Sequence, residues 1–439
     1  MDFASAISYL DSLQSTKIEL GLERMSAVCK LLGNPENKFT SVVVAGTNGK
    51  GSTCAFLESI LRHNGLKAGL LTSPHLLDVR ERIQIDREMI SEKEFGNLAE
   101  NLHCHCEFAS GGRSNLPNSE LEIASSLDKL GARNDMQFTY FEFLTAMAFQ
   151  YFAEAKVDIA VLEVGLGGRL DATNVVTPVI SVITRIGIDH QKYLGDTIEK
   201  IAFEKCGIIK RGVPVVTVDQ DEKAMDVIRK ASDENGAMLH VVSPHEVKWP
   251  LGLNGSHQLE NAALAVRAAE IVTPSLSLPP RGGGKGRGGG VIEMALASTS
   301  WPGRLEVVSK NPLVILDGAH NPNGAEALAK YLMSLPEKLI IMLGIMADKD
   351  IDGIVKPLAD AADEIVITKP SIERAADPKI IESRIRKLEK WKNANITINA
   401  QLPSAIRQTM ESMPKDSCLI IAGSLYTVGE AREYFSSLT

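Results

Sequence analysis

No stretch of this sequence is apolar for long enough to cross a bilayer, no cysteine spacing suggests a disulfide framework, and no internal repeat is visible. A spanning helix needs about 18 or more consecutive apolar residues, so an integral helical membrane protein is excluded. The cysteines are scattered at Cys29, Cys54, Cys104, Cys106, Cys206 and Cys418, a usage that suits a reducing compartment. The opening MDFASAISYL carries an acid at Asp2 and no basic stretch. It reads as the start of a helix and not as a secretory signal, so a cytoplasmic location is expected. Positive charge is also lacking. A formal net charge of −8 argues against a general nucleic-acid partner, while a local cluster of cations can still receive a small anionic substrate.

What is present is ordinary for a globular chain: 44% hydrophobic residues, with aromatics at 5%. At 439 residues the chain exceeds one compact core, and two or three domains are expected. Short β-branched runs alternate with helical stretches, the pattern of α/β units around a mainly parallel sheet. SVVVAG, KAGLLT, VDIAVLEV, PVISVIT and VPVVTV are strand candidates in the first part; LVILDG, KLIIMLG, DEIVIT, ITINA and CLIIAG form a second set. Helices fit GSTCAFLESILRHNG, TYFEFLTAMAFQYFAEA and SHQLENAALAVRAAEIV. Between the sets, Gly282 to Gly290 is almost entirely glycine and cations and reads as a flexible, solvated linker. Composition alone puts a boundary between about Pro280 and Trp301, dividing the chain into 1–296 and 297–439. HCHC at His103–Cys106 has soft-metal ligands, but four consecutive residues cannot supply good tetrahedral geometry by themselves. It reads as surface, leading into a polar loop or insertion that runs to Arg133.

The stretch VVVAGTNGKGST resembles a phosphate-binding loop, yet Val44 stands where the usual pattern has its first glycine and Gly51 follows Lys50. A glycine-rich turn from a strand into a helix N-terminus favours an anion through its backbone N–H groups and the helix dipole. Lys50 can reach terminal phosphates, and Ser52 can offer a hydroxyl to magnesium. A strand–helix turn with an incidental lysine is the alternative. A phosphate loop needs a carboxylate for its metal, normally at the end of a neighbouring strand, and VDIAVLEVGLGGRLDATN supplies Glu163. The next strand ends in TRIGIDHQKYLG, placing Asp189 and His190 at the carboxyl edge where α/β folds bind ligands; TSPHL places Ser73 and His75 likewise. In the second half, LVILDGAHNPNG delivers Asp317 with His320 and Asn321 behind it, and Arg304 follows Trp301-Pro302-Gly303. Together these residues describe an ATP and magnesium site in a cleft between domains.

AGTNGKGS, SPHL…ERI, EVGLGGRLDATN, DHQKYLG, EKCGIIK, WPGRLE and LDGAHNPNG together resemble the folylpolyglutamate synthase and dihydrofolate synthase family, a branch of the Mur-type ATP-dependent amide ligases. The resemblance runs from about Tyr9 to Tyr426, and the family's phosphate loop has this shifted form. It implies a P-loop domain like the Mur ligase central domain, carrying the folate site, and a smaller C-terminal Rossmann-like α/β domain. It implies ATP contacts at Thr47, Asn48, Gly49, Lys50, Gly51, Ser52, Asn261, Arg304 and Asp317, and magnesium ligands at Ser52, Ser73, Glu163 and His190, for two ions. Lys50, Lys205 and His320 take catalytic places, with Lys205 matching a lysine carried as a carbamate. Cys206 replaces the more usual alanine beside it. Lys17, Ile18, Glu19, Leu20, Thr139, Tyr140, Phe141, Glu142, Leu170, Asp171 and Ala172 match segments that line the pterin pocket in bifunctional members. TYFEFLTAMAF reads equally as a core helix.

The implied reaction is addition of L-glutamate to dihydropteroate and to reduced folates through an acyl phosphate. A monofunctional folylpolyglutamate synthase is the alternative. A cell-wall Mur ligase carries a whole UDP-sugar domain before its P-loop, where here only 45 residues precede Gly46. A P-loop kinase would leave LDGAHNPNG unexplained, and a non-catalytic nucleotide module would leave the polar loops unexplained. The expected partners are ATP, L-glutamate and a pterin or folate acceptor, with no nucleic acid or membrane. The expected oligomeric state, taken from the family, is a monomer.

Overall fold

The computed structural model describes residues 1–13, 20–110, 138–273 and 287–438. Two sheets organise them. The first contains β1 (Thr40–Ala45), β2 (Ala68–Leu71), β3 (Ile83–Ile85), β4 (Glu88–Met89), β5 (Ile159–Glu163), β6 (Ile180–Ile183), β7 (Val215–Val218) and β8 (Leu239–Val242), in the order β4-β3-β2-β5-β1-β6-β7-β8. It is parallel except at β3 and β4. The second contains β9 (Glu306–Lys310), β10 (Leu313–Asp317), β11 (Lys338–Leu343), β12 (Glu364–Lys369), β13 (Ile396–Gln401) and β14 (Ser417–Ala422), in the order β13-β12-β11-β14-β10-β9, with β9 alone antiparallel.

The central strand β1 shows why the sheet is covered on both faces. Its side chains alternate. Val43 and Ala45 join one core with Phe143, Phe149 and Phe152, while Val42 and Val44 join another with Phe56, Leu57, Ile60 and Leu61. A parallel strand clad by helices on both sides reads as an unbroken apolar run, as Val42–Ala45 does. The helix Lys50–His63 lies on the second face, packed against the helices Gln258–Val272 and Arg287–Ser298. Burying side chains such as Phe56 and Leu57 completely is worth about 1.5–3 kcal/mol each, enough to hold this helix although its glycine-led start has little intrinsic propensity. The helix Tyr140–Glu154 covers the first face and begins with a capping box between Thr139 and Glu142.

Two expectations from composition are corrected. Arg287–Gly290 is not linker but the first turn of the helix Arg287–Ser298. Ile292, Ala295 and Leu296 recur at helical spacing and are fully buried, so packing overrides the low propensity of the glycines; 281–286 lies outside the described residues. The loop expected after His103–Cys106 starts later than its composition suggests, because the helix Glu92–Ser110 runs through these residues to Ser110; Cys104 is exposed, as a surface segment requires, and the Tyr9 and His103 rings meet at a tilt, 4.5 Å between centroids. The polar segment from 111 to Arg133 lies outside the described residues. Four strands escaped the sequence reading. The strands β3, β4 and β8 are only two to four residues long, and β9 is a half-exposed antiparallel edge. Among the described residues no helix is long and apolar enough to cross a membrane.

Candidate active site

The phosphate loop leaves β1 at Ala45 and enters the helix at Lys50. Gly49 is its N-cap, at φ 92°, and a Cβ there would lie 2.2 Å from Asn261 Oδ1. Glycine is therefore demanded twice, by backbone region and by space. The loop is pinned to the next strand over: the N–H groups of Thr47 and Asn48 donate to the Arg185 carbonyl, at 2.9 and 3.2 Å. The Thr47 hydroxyl donates to the Gly187 carbonyl and accepts from the Gly187 N–H, each at 3.0 Å. Asn261 reaches the loop from the helix Gln258–Val272 and is steadied by Gln258, to whose Oε1 its Nδ2 donates at 2.9 Å. Lys50 Nζ donates to the Thr47 carbonyl at 3.3 Å, so its ammonium lies along the loop.

The register Val44↔Glu163 puts Glu163, the last residue of β5, beside the loop's origin. Glu163 is buried, and its Oε2 accepts the Ser73 N–H at 3.1 Å. Desolvation raises its pKa, against the opposing fields of Lys50, Arg304 and Arg82. Lys205, from the helix Ile198–Cys206, is buried and donates to the Gly46 carbonyl at 2.7 Å. Desolvation and the nearby Lys50 lower its pKa to about 7. A lysine this close to neutrality presents a free amine to an electrophile such as CO2.

The second sheet faces this edge with the loop after β10. Asp317 is buried and accepts the N–H groups of Leu305 and Ala319, each at 2.9 Å. Burial raises its carboxyl, while Arg304 and His257 pull it down. Arg304 lies over Gly318, where a Cβ would meet its guanidinium at 2.5 Å. Asn321 caps the helix Pro322–Leu332 and exchanges two hydrogen bonds with Asn48 across the cleft, at 3.1 and 2.9 Å. Asp189 is the node that gathers both halves: Lys349 Nζ donates to its Oδ1 at 2.8 Å, Asn321 Nδ2 donates to its Oδ2 at 3.2 Å, and His320 Nε2 lies 3.7 Å from Oδ2. Burial raises the Asp189 carboxyl, but His190, Lys349 and His320 outweigh it and hold the group well below the usual carboxylate range. His320 is lowered to about 4 by burial and Lys349. The His190 ring is nearly half open to solvent, yet it too falls to about 4 through desolvation and the cations Lys349, Lys50 and Lys205. Both imidazoles are therefore neutral at pH 7.

The candidate pterin residues divide. Lys17, Ile18 and Glu19 lie outside the described residues, and Leu20 is exposed. Tyr140 lies under the Arg82 guanidinium at 5.3 Å, and Arg82 Nε donates to His75 Nδ1 at 2.9 Å. The Phe141 ring abuts Gly165, just past Glu163. Glu142 is occupied otherwise, paired with Arg24 at 2.9 Å and accepting the Thr139 N–H at 2.8 Å. Asp171 is buried, and its Oδ2 accepts the Leu166 N–H at 2.8 Å, so it shapes the EVGLGG loop. Ala172 is buried, and Leu170 half-buried, beside it.

Lys349 was missed by sequence reasoning. Its one signal is position, in the loop after β11 at the carboxyl edge. Asp189 and Asn321 were noticed in their motifs, but not as the pair that joins the halves. Arg82 was legible only as part of ERI.

Comparison with known proteins gives the family. Residues 303–425 match the family described as Mur ligase, glutamate ligase domain. The chain is 33% identical over 459 aligned residues to a Bacillus subtilis protein named dihydrofolate synthase/folylpolyglutamate synthase, with 98% of each chain covered. It is equally 33% identical to a Haloferax volcanii protein named probable bifunctional folylpolyglutamate synthase/dihydropteroate synthase, and it spans 50% of that relative's length. Among solved structures, it superposes with a TM-score of 0.84 on Mycobacterium tuberculosis folylpolyglutamate synthase complexed with ADP, at 30% identity and 99% coverage of both chains.

Proposed function

The chain belongs to the folylpolyglutamate synthase/dihydrofolate synthase family of ATP-dependent ligases, and from that premise we propose that it joins L-glutamate to dihydropteroate and to reduced folates through an acyl phosphate. The observation that carries this reading is the meeting of the halves: Asn48 of the phosphate loop is tied to Asn321, and Glu163 lies in the field of both Lys50 and Arg304. A kinase needs no such second face. An amide ligase does, because an amine must reach a carboxylate activated at the phosphate loop.

The N–H groups of Gly49 to Ser52 and the Lys50 ammonium hold the ATP phosphates, while those of Thr47 and Asn48 are spent on the Arg185 carbonyl and fix the loop behind them; Arg304 adds a fixed guanidinium from the opposite side. Positioning and charge neutralisation account for most of phosphoryl transfer. The substrate carboxylate attacks the γ-phosphorus, ADP leaves, and an acyl phosphate remains. The α-amine of glutamate then attacks that carbonyl and expels phosphate. His320 is set to take the amine's proton. Its Nδ1 lies 2.8 Å from the Gly318 carbonyl and carries the hydrogen there, which leaves Nε2 as a lone pair. Asp189 beside Nε2 steadies the imidazolium that forms. Closure of the halves, through Asn48–Asn321 and Asp189–Lys349, keeps water from the acyl phosphate.

Magnesium fits the donors present. Among the described residues no three His, Cys, Asp or Glu side chains converge into a metal cage. Magnesium in phosphate sites needs only one or two carboxylates, with phosphate and water oxygens completing the shell. Ser52 would serve one ion at the phosphates, and Ser73, Glu163 and the neutral His190 would hold a second, with Lys205 as its carbamate nearby. The ions would offset phosphate charge.

The deciding experiment is glutamate-dependent phosphate release from ATP, run in parallel with dihydropteroate and with tetrahydrofolate. Turnover with both supports the bifunctional reading. Turnover with tetrahydrofolate alone reduces it to a folylpolyglutamate synthase, and silence with both removes it.

A further inference from the structure

The turn joining β3 to β4 is a two-residue hairpin loop with Asp86 at φ 52° and Arg87 at φ 71°. Two successive positive φ values suit the twist of a tight hairpin, and Asn-Gly or Asp-Gly is the usual solution. An arginine in the second place carries a Cβ into a region that disfavours it. Asp86 ties the turn to the neighbouring strand β2, its Oδ1 accepting the Ala68 N–H at 2.8 Å. Arg87 reaches away from it. Its Nη2 donates to the Ser300 carbonyl at 2.7 Å, and its guanidinium lies 5.1 Å from the Trp301 ring centroid. Its Nε stands 3.8 Å from Oε2 of Glu58.

Glu58 belongs to the phosphate-loop helix and is fully buried; its Oε1 is taken by Arg62 at 2.8 Å. Gly51 lies seven residues before it, two turns along the same helix face. There a Cβ would stand 2.9 Å from Trp301 Nε1. The Trp301 ring is thus held between Gly51 of the phosphate loop and the guanidinium of Arg87. The Arg304 N–H in turn donates to the Trp301 carbonyl at 3.3 Å.

We propose that Arg87 is a positioning residue for the ligase reaction: its grip on Ser300 and Trp301 seats the segment joining the two halves on the phosphate-loop helix and so directs Arg304 at the nucleotide. The catalytic part rests on the function proposed above; the grip itself does not. It also explains why an arginine occupies a turn position better suited to glycine.

The test compares Arg87→Gly and Arg87→Lys with the parent in two measurements, hydrogen exchange at the amides within 300–305 (Ser300, Trp301, Gly303, Arg304 and Leu305) and steady-state kinetics. Glycine suits the turn, so Arg87→Gly is expected to fold. Exchange at 300–305 should rise about tenfold. kcat should fall about tenfold, with KM for ATP unchanged within about twofold, because the phosphate loop remains while the transition-state contact of Arg304 is lost. Arg87→Lys keeps a cation for Glu58 but lacks the planar stacking group, so the raised exchange and the low kcat should both persist in it. If Arg87→Gly does not fold, the Glu58→Gln/Arg87→Gly double variant, which removes the uncompensated carboxylate, carries the same measurements. Parent-like exchange or parent-like kcat in the glycine variant overturns the proposal. So does recovery of kcat in Arg87→Lys, which would make the role one of charge balance alone. Should the parent show no glutamate-dependent phosphate release, the functional reading falls. Exchange at 300–305 then decides the grip, a rise in Arg87→Gly upholding it and no change overturning it.

Discussion

Asn48 and Asn321 donate to each other's side-chain oxygens at 3.1 and 2.9 Å, across 273 residues of chain. The amide of one half thereby reports the position of the other. Asn321 has a second task as the cap of the helix Pro322–Leu332, where its Oδ1 accepts the Gly324 N–H at 2.8 Å. Asn48→Ala is therefore the cleaner cut. It should lower kcat/KM about tenfold, ~1.4 kcal/mol, with little change in thermal midpoint. In a double-mutant cycle with Asn321→Ala the coupling should exceed about 0.5 kcal/mol. Additive effects would show that the pair does no joint work in the reaction.

Gly49→Ala should be far more damaging than its size suggests. The methyl would be driven within 2.2 Å of Asn261 Oδ1 at φ 92°, a strain of order 1–3 kcal/mol. The cheapest relief is to swing the loop away from Asn261. ATP affinity, measured by calorimetry, should fall by more than tenfold while the circular dichroism of the fold is kept. Unchanged affinity would mean that the loop adapts in some other way.

Lys205 sets a pH dependence of stability whose sign can be worked out. Its pKa falls from the ordinary lysine range to about 7 on folding. Between about 7 and 10.5 the unfolded chain therefore holds a proton that the folded chain lacks. Stability rises with pH across that window, by up to ~1.4 kcal/mol per unit, and the burial penalty is constant below it. Lys205→Met should flatten this slope in denaturant titrations at pH 7, 8 and 9 in CO2-free buffer. Parallel slopes for the two proteins would place the amine's pKa elsewhere. Added bicarbonate should raise the activity of the parent at pH 8, as a carbamate requires, and leave Lys205→Met unaffected.

Glu163→Gln keeps the shape of the side chain and removes its charge. The magnesium concentration giving half-maximal activity should rise at least tenfold, since a carboxamide is a weak ligand for a hard dication. Thermal stability without magnesium should hold or increase, because desolvation opposes the buried carboxylate. An unchanged magnesium requirement would remove Glu163 from the metal site.

The parts of the site that could be read from sequence are those made within one strand and the loop after it. Gly49 with Lys50, Glu163, His190 and Asp317 with His320 all follow an apolar run. In a parallel sheet every such run delivers its last residue to the same edge. Helical segments with strong apolar spacing, such as Lys50–His63, were equally legible. Arg287–Gly290 misled because composition reports propensity, whereas Ile292 and Leu296 supply tertiary burial that pulls the preceding turn into helix.

Taken alone, the sequence determined which residues stand at the strand ends, because hydrophobic period and glycine placement are local properties of the chain. Only the tertiary structure decided which of them meet. Lys205 is buried against the Gly46 carbonyl from 159 residues away, and Lys349 reaches Asp189 across 160. The first pairing depends on how the helix Ile198–Cys206 packs on the first sheet, the second on how the two sheets dock, and both are set by the summed packing of whole faces rather than by any short motif. The electrostatics follow from that packing. A lysine near neutrality and two neutral histidines exist here because burial strips water from groups that the sequence marks only as charged or titratable.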